Sequence, residues 1–145
     1  MEHFDLERFV LVYNRDYATA LSEIRSGRKQ SHWMWYIFPQ LTGLGRSEYA
    51  RYYGLPDLEA AKEFLAHPLL GEHLLTISRA LLHLDETDPH RVMGSPDDLK
   101  LCSCMTLFEA AAPDTPEFAA VLEKFYAGRR DSRTLALLKG EKQVW

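Results

Sequence analysis

Apolar residues near the start of the chain recur at three- and four-residue steps, the spacing of one face of an α-helix. These residues are Phe4, Phe9, Val10, Tyr13, Tyr17, Leu21 and Ile24. The pattern predicts either one amphipathic helix over residues 5–26 or two helices that meet near Asn14, with Gly27 as the C-cap. In both cases we expect the apolar face to lie in the core.

Helical periodicity continues through the middle of the chain. Asp57 is the expected N-cap of a second helix, and His67-Pro68 is expected to end it. A longer helix is predicted over residues 69–84, where leucine and isoleucine return at helical spacing. We expect this longer helix to be central.

Later helices share a start signal, a capping residue followed by proline or by acidic side chains that suit the positive helix N-terminus. The signals are Asp88-Pro89, Ser95-Pro96-Asp97-Asp98 and Thr115-Pro116-Glu117. A last helix is expected to begin at Asp131 or Ser132 and to stop at Gly140, after Gly128 has closed the preceding one. No segment alternates as a strand would. The predicted fold class is all-α, a compact multi-helical single domain over residues 1–145.

The composition narrows the possible functions. Of 145 residues, 46% are hydrophobic and 26% charged, and a chain of this size buries roughly 70% of its unfolded surface, enough for one core. A net charge of -4 and a pI near 5.8 argue against nucleic-acid binding, which depends on cationic neutralisation of phosphates. We expect no membrane association and a cytoplasmic location, because the chain has neither a signal peptide nor a run of roughly 20 apolar residues.

The two cysteines favour the same compartment. Cys102 and Cys104 lie in a segment predicted to be helical, where side chains two positions apart point about 200° away from each other, so we expect no disulfide between them. No cysteine or histidine stands near them at the spacing of a zinc finger. We therefore expect no metal site, and no motif indicates an organic cofactor.

Residues 29–40 are unusually aromatic. Four rings fall within six positions: Trp33, Trp35, Tyr36 and Phe38. No single helix face can bury all four. One interpretation is a buried short helix with Ser31 as its N-cap. The other is that part of the aromatic surface lines a pocket, with Lys29, His32 and Gln40 as its polar groups.

Two glycines follow the aromatic stretch and precede a helix. Gly43 and Gly45 permit close approach of the backbone, and Ser47 is a suitable N-cap for a helix running toward Tyr53. Free backbone N–H groups at such a junction, with Arg46 beside them, would suit a phosphate or carboxylate. A plain turn explains the same residues, because the G-x-G matches neither a Rossmann nor a Walker pattern.

A polar stripe interrupts a later apolar helix. Lys100, Ser103 and Thr106 stand three residues apart and share one helix face. Either this face is solvated, with the two hydroxyls bonded back to their own helix, or Lys100 and Ser103 face the pocket made by the aromatic segment. No Ser-His-Asp or Cys-His nucleophile arrangement follows from the spacing.

A series of motifs runs through residues 4–138. They are E-I-R-x-G-R-K, K-x-S-H-W-M-W-Y-I-F-P-Q, G-L-G-x-S, F-L-A-H-P-x-L-G, P-D-D-x-K-L, M-T-L-F and D-x-R-T-L. The series resembles a bacterial family known as domain of unknown function 1810, which implies an all-α, multi-helical fold. Members are sometimes labelled calpastatin-like, but such an inhibitor is a long disordered chain, whereas this sequence has a core. The family is also distantly similar to NADAR (YbiA-like) domains, which are linked with ADP-ribose and N-glycoside hydrolysis.

The leading hypothesis is a small-molecule site for a nucleotide or ADP-ribose-like ligand, with N-glycoside hydrolysis as the first reaction to test if the chain is an enzyme. The predicted ligand-binding residues are Lys29, His32, Trp33, Trp35, Gln40, Gly43, Gly45, Arg46, Ser47, Lys100 and Ser103. In this hypothesis Lys29, His32 and Arg46 hold phosphates, and Trp33 or Trp35 stacks on a ring. No catalytic residue is assigned, because each available carboxylate is explained equally well as a helix cap or first-turn charge.

The alternative is a non-catalytic interaction module or homodimer, in which Trp33 and Trp35 form an exposed hot spot for a partner. A concave site with converging cations would favour a ligand, whereas a flat exposed tryptophan patch would favour a partner. The sequence leaves the oligomeric state open.

Overall fold

Helix boundaries follow the capping residues of the sequence closely. The computed structural model describes residues 4–140, and this range contains nine helices. They are α1 (Glu7–Arg25), α2 (Met34–Ile37), α3 (Glu48–Tyr53), α4 (Leu58–Ala66), α5 (Pro68–His83), α6 (Pro89–Met93), α7 (Asp97–Ala111), α8 (Pro116–Tyr126) and α9 (Ser132–Leu138). Regular strands are absent from residues 4–140, where Leu41 and Leu55 form an isolated parallel bridge. The all-α prediction is confirmed.

Side-chain caps begin five of these helices, including α5, which is capped by His67. The carboxylates of Asp57, Asp88 and Asp131 accept hydrogen bonds from first-turn N–H groups of α4, α6 and α9 at 2.9 to 3.0 Å. The Ser47 hydroxyl caps α3 by accepting from the Ala50 N–H at 3.1 Å. Each of these caps satisfies an N–H group that has no partner inside its helix.

The structure decides two open points in the first part of the chain. α1 is continuous through Asn14, and its C-cap is Ser26 rather than Gly27, which follows with a φ of 88°. The prediction that Ser31 caps the aromatic segment is wrong, since α2 has no side-chain cap. The reason is that the Ser31 hydroxyl donates to the Glu23 carboxylate instead.

The predicted central helix, α5, shares the centre of the fold with α7. α5 packs against α1, α4 and α8, and α7 packs against α4, α6, α8 and α9. Leu70, Leu74, Ile77 and Leu81 of α5 are completely shielded from solvent. Burial of one such side chain contributes about 1.5–3 kcal/mol, so this apolar face is a main source of stability.

The corner between α4 and α5 is tight because one residue, His67, links the two helices. Its Nδ1 accepts hydrogen bonds from two first-turn N–H groups of α5 at 3.1 and 3.3 Å, and Pro68 suits the first helical position. Gly71 lies against α4, where an added Cβ would come within 2.0 Å of the Leu65 carbonyl oxygen. The corner therefore requires glycine at this position.

The connection from α2 to α4 is closed by hydrogen bonds between its two ends. The N–H of Thr42 donates to the Leu55 carbonyl, and the N–H of Leu55 donates to the Gln40 carbonyl, both at 2.9 Å. α3 lies between these ends and packs against α2. As a result, the rings of Trp35 and Tyr49 meet with their centroids 5.0 Å apart.

We expect replacement of Ser78 by alanine to raise the free energy of unfolding by about 1 kcal/mol. Ser78 is fully buried in α5, and within residues 4–140 its hydroxyl has no hydrogen-bond partner. The variant removes this unsatisfied group and inserts the residue with the highest helix propensity. Urea unfolding followed by circular dichroism measures the difference, and a less stable variant would contradict the unpaired state of the hydroxyl.

Candidate functional site

Glu23 organises the aromatic segment that follows α1. Its carboxylate accepts hydrogen bonds from the N–H groups of Gln30 and Ser31 at 2.7 and 2.8 Å. It also accepts from the Ser31 hydroxyl at 2.5 Å and from the Trp33 indole N–H at 2.9 Å. Burial opposes ionisation of this carboxyl, but the hydrogen bonds together outweigh it and lower the pKa of Glu23 from 4.5 to about 2. The charged carboxylate is therefore a structural anchor, and local spacing in the sequence did not indicate it.

Trp33 belongs to the core. Its side chain is 1% exposed, and its indole N–H is bonded to Glu23. This burial excludes both roles proposed for Trp33 from the sequence. Trp33 can neither stack on a ligand ring nor contact a protein partner. Trp35 is only partly buried, so it is the tryptophan of this segment that can contact a ligand.

Lys29 connects the aromatic segment to the first turn of α7. Its ammonium lies 2.9 Å from the Asp97 carboxylate and donates to the Ser31 carbonyl at 2.5 Å. It also lies 4.9 Å from the centroid of the Trp33 ring, and the Lys29 side chain is only 7% exposed. Lys29 is therefore enclosed and neutralised, which does not fit the expected role of holding a phosphate directly.

Asp97 lies between two lysines. One carboxylate oxygen pairs with Lys29, and the other lies 3.8 Å from the Lys100 ammonium. The Lys100 ammonium also lies 5.4 Å from the centroid of the Trp35 ring. Because 3.8 Å is an ion-pair separation and longer than a hydrogen bond, Lys100 retains the capacity to bind a further anion.

A small recess opens where α2, α3 and α7 approach one another. We call it the Trp35 recess, and its lining residues are Met34, Trp35, Phe38, Gln40, Ala50, Tyr53, Gly54 and Lys100. Its volume is about 10 Å³, the space of about one water molecule. Gln40 and Lys100 contribute polar groups to a lining that is otherwise mainly aromatic and aliphatic. The aromatic segment and Lys100 thus meet in space, although they are far apart in sequence.

The predicted ligand site includes six polar residues that would have to converge on one cavity, and they do not all meet at the Trp35 recess. They are Lys29, His32, Gln40, Arg46, Lys100 and Ser103. Gln40 and Lys100 line the Trp35 recess, and Lys29 does not line it but pairs with Asp97, the neighbour of Lys100. His32 is exposed and does not line the recess. Periodicity could not show this, because the route of the segment after α1 depends on its hydrogen bonds to a distant carboxylate.

The loop that contains Gly43 and Gly45 forms a turn before α3. Gly43 has a φ of 104°, a conformation that glycine adopts without steric cost. Gly45 approaches α3 so closely that an added Cβ would lie 2.7 Å from the Ala50 Cβ. With Ser47 occupied as the cap of α3, the plain-turn interpretation accounts for these three residues. Arg46 is exposed on the same loop.

Ser103 lies on the side of α7 that contacts α9. Its hydroxyl is 3.2 Å from the Leu99 carbonyl and 3.1 Å from the Asp131 carboxylate. The Thr106 hydroxyl donates to the Cys102 carbonyl at 2.8 Å and accepts from the Asp131 N–H at 2.9 Å. Both hydroxyls bond back to their own helix as expected, but they are buried. The interpretation of this stripe as a solvated face is therefore wrong for Ser103 and Thr106. The alternative that Ser103 faces the pocket is wrong as well, because Ser103 does not line the Trp35 recess.

The exposed tyrosines of α3 were not predicted. Tyr49 and Tyr52 are 58% and 52% exposed, whereas Tyr53 is buried. Three tyrosines within five positions of a short helix cannot all face inward. This crowding was the signal available in the sequence.

Neither cysteine has the properties of a nucleophile. Both thiols are free, and burial, followed by the Asp131 carboxylate, raises the pKa of Cys102 to about 11. Complete burial also raises the pKa of Cys104, whereas a reactive cysteine needs a lowered pKa.

Among residues 4–140, no group of three or more histidine, cysteine or acidic side chains is placed to hold a metal ion. No helix in the described part of the chain has both the length and the apolarity of a membrane span.

These features define a class, an all-α protein in which α2, α3 and α7 form a small aromatic recess with a lysine in its lining. The family described as "Protein of unknown function (DUF1810)" matches residues 3–138. The chain belongs to this family, and the resemblance seen in its motifs is confirmed.

A solved structure shares the whole fold. The conserved hypothetical protein Rv1873 from Mycobacterium tuberculosis, known from a crystal structure at 1.38 Å, is 46% identical in sequence. The match has a TM-score of 0.92 and covers 94% of this chain and 97% of that chain. No curated protein matches the chain. Neither the family description nor the name of the neighbour states a ligand or a reaction, so the function must be inferred from the site.

Proposed function

We propose that the protein binds a small anionic ligand with a planar ring, of the nucleotide or ADP-ribose class, at the Trp35 recess. The observation that carries the proposal is the position of Lys100. Its side chain lines the recess and is 26% exposed, and its ammonium lies 5.4 Å from the Trp35 centroid and 3.8 Å from Asp97. The Lys100 ammonium can bind the anionic group of a ligand, and the adjacent Trp35 ring can stack on a planar ring of the same ligand.

The volume of the recess limits how such a ligand is bound. Space for about one water molecule admits a single exocyclic group, such as a carbonyl oxygen or an amino group, beside Gln40. The ring and the anionic group would then lie outside the recess, against Trp35 and Lys100. Because lysine has a long flexible stem, Lys100 can turn away from the Trp35 ring toward a phosphate and leave that face free for stacking.

Lys29 and Asp97 are positioning residues in this proposal. The buried Lys29 ammonium fixes the Asp97 carboxylate at 2.9 Å, and Asp97 in turn lies 3.8 Å from Lys100. Removal of Lys29 would leave the carboxylate without its closest partner, which is costly for a mostly buried charge. The pair therefore holds Lys100 close to Trp35 before any ligand arrives.

We further propose that the protein hydrolyses an N-glycosidic bond in a ligand of this class. This proposal rests on the distant similarity of the family to NADAR (YbiA-like) domains and on Asp97, a carboxylate beside the lysine of the recess. An ionised carboxylate next to a bound sugar can stabilise the positive charge that develops on the ring as its bond to the base breaks, so in this step Asp97 would act on the ligand in addition to positioning Lys100. Chromatography of NAD and ADP-ribose incubated with the protein, and with Asp97→Asn, tests this step. Absence of base release from both compounds would refute hydrolysis while leaving binding intact.

We expect Lys100→Met to weaken ligand binding at least tenfold, a loss of about 1.4 kcal/mol or more, because methionine keeps the alkyl volume and removes the charge. The free energy of unfolding should change by less than about 1 kcal/mol, since a partly exposed ion pair contributes little. Tryptophan fluorescence during titration with ADP-ribose, NAD and AMP measures the affinity. Urea unfolding of the same variant measures the stability.

Lys62→Met is the matched control. Lys62 is an exposed lysine of α4 that pairs with Glu59 at 3.7 Å, so this variant has the same change in charge outside the recess. Its affinity should equal that of the wild type. Trp35→Phe shows whether Trp35 carries the fluorescence change. A flat response of the wild type to all three compounds, or equal weakening in both lysine variants, would contradict the proposal.

A further inference from the structure

The surface between α3 and the start of α1 combines exposed aromatic side chains of α3 with one arginine from each helix. A groove of about 600 Å³, called here the tyrosine groove, is lined by Arg8, Glu48, Tyr49, Arg51, Tyr52 and Tyr53. Tyr49 and Tyr52 expose more than half of their surface. Tyrosine and arginine are the residues most enriched in the energetic centres of protein interfaces.

Arg8 makes part of the groove rigid in advance. Its guanidinium lies 4.4 Å from the centroid of the Phe4 ring and 4.6 Å from that of Tyr52. It donates to the carbonyl oxygens of Asp5 and Tyr52 at 3.0 and 2.7 Å. A side chain that is already ordered loses less entropy when a partner binds, so Tyr52 is prepared for contact.

The groove is also locally positive on a chain of net charge -4. Its lining contains two guanidinium groups, Arg8 and Arg51, and one carboxylate, Glu48. The hydrogen bonds that Arg8 makes within residues 4–140 go to neutral carbonyl oxygens. Charge complementarity therefore favours a negatively charged partner.

We infer that the tyrosine groove binds an extended acidic peptide segment of a partner protein. Arg8 and Arg51 supply guanidinium donors for its carboxylates, and the rings of Tyr49 and Tyr52 pack against its proline or aliphatic side chains. This surface adjoins the Trp35 recess, because Tyr53 lines both and the Tyr49 ring contacts Trp35, but Arg8, Arg51 and Tyr52 line the groove alone. The inference therefore does not depend on the proposed ligand.

Two other occupants fit the charges less well. In a symmetric dimer the same patch meets itself, so a second copy would bring two groups of two arginines together, with only one Glu48 carboxylate on each side to offset them. Single-stranded nucleic acid also stacks on tyrosines, but it requires a strongly cationic groove. Here Glu48 lies in the groove, and the chain is acidic as a whole.

The test uses a fluorescein-labelled peptide of four Glu-Leu-Pro repeats and measures its fluorescence anisotropy with the full chain. The comparison probes are the Lys-Leu-Pro peptide of equal length and a labelled oligothymidine. The protein variants are Tyr52→Ser and Arg51→Gln, whose side chains are exposed, so thermal unfolding should show that both remain folded. Arg129→Gln, another exposed arginine, is the matched control.

Binding of the acidic peptide that weakens at least tenfold in Tyr52→Ser and in Arg51→Gln, but not in Arg129→Gln, would support the inference. Failure of the acidic peptide to bind, or equal binding by all variants, would overturn it. Preference for oligothymidine or for the basic peptide would overturn it as well. So would sedimentation that shows a dimer of the wild type and a monomer of Tyr52→Ser, because the groove would then hold a second copy.

Discussion

Replacing Gly71 with alanine is expected to lower the free energy of unfolding by about 2–4 kcal/mol. In an ordinary helix this substitution stabilises by about 1 kcal/mol, because alanine has the higher helix propensity. At Gly71, however, a Cβ would lie 2.0 Å from the Leu65 carbonyl oxygen and 2.8 Å from its carbon. These are backbone atoms of α4, which cannot turn aside as the end of a side chain can. The two helices would have to separate at their one-residue corner.

Thermal unfolding measures this effect, and a loss of this size corresponds to roughly 6–12 °C in Tm for a chain of this length. Ser78→Ala is the matched control, since it places alanine in the same helix without adding an atom that must be accommodated. The two variants should shift Tm in opposite directions. An unchanged or higher Tm for Gly71→Ala would contradict the close approach of α4 and α5.

Removing the side chain of Glu23 with Glu23→Ala is expected to cost about 3 kcal/mol. The variant leaves the buried indole N–H of Trp33 and the N–H groups of Gln30 and Ser31 without their acceptor. Glu23→Gln keeps an acceptor oxygen and removes only the charge, so we expect it to cost about 1–2 kcal/mol. Urea unfolding near neutral pH measures both values. Two variants as stable as the wild type would contradict the anchoring role.

The contribution of Glu23 should also depend on pH. Its folded-state pKa of about 2 lies below the ordinary value of 4.5, so the carboxylate stabilises the fold above about pH 4.5 and loses this contribution as the pH falls toward 2. The stability gap between wild type and Glu23→Gln should therefore be widest near neutral pH and narrow below about pH 4.5. Glu72→Gln, which changes an exposed glutamate, is the control for the loss of one carboxylate charge elsewhere on the surface. A gap that stays constant down to about pH 3 would rule out this linkage.

Several residues of the family motifs have structural roles. Glu23, in E-I-R-x-G-R-K, anchors the segment that follows α1. His67 and Gly71, in F-L-A-H-P-x-L-G, form the corner between α4 and α5. Asp131, in D-x-R-T-L, caps α9 and binds it to α7. Lys100 differs from these structural residues because it lines the Trp35 recess and lies 3.8 Å from the Asp97 carboxylate. The ligand proposal therefore depends on Lys100 and not on the motifs as a set.

The sequence by itself determined where most of the helices of this protein lie. Caps such as Asp57 and Asp131 act on N–H groups within the next few residues, and apolar periodicity shows which face of a helix is buried. Both signals are local, so they can be interpreted without knowing how the helices pack. The buried face of α5 followed in the same way, from a long run of leucine and isoleucine at helical spacing.

Only the tertiary structure decided which polar residues share a site. Glu23 turns the Trp33 indole into the core, and Trp35 is left at the recess. The packing of α9 on α7 occupies the Ser103 hydroxyl, whereas Lys100, one turn earlier on the same helix, remains at the recess. The physical reason is that a polar side chain is bound by whichever partner the packed helices bring within hydrogen-bond reach. That partner is often distant in sequence, and periodicity specifies the buried face of each helix but not its neighbour.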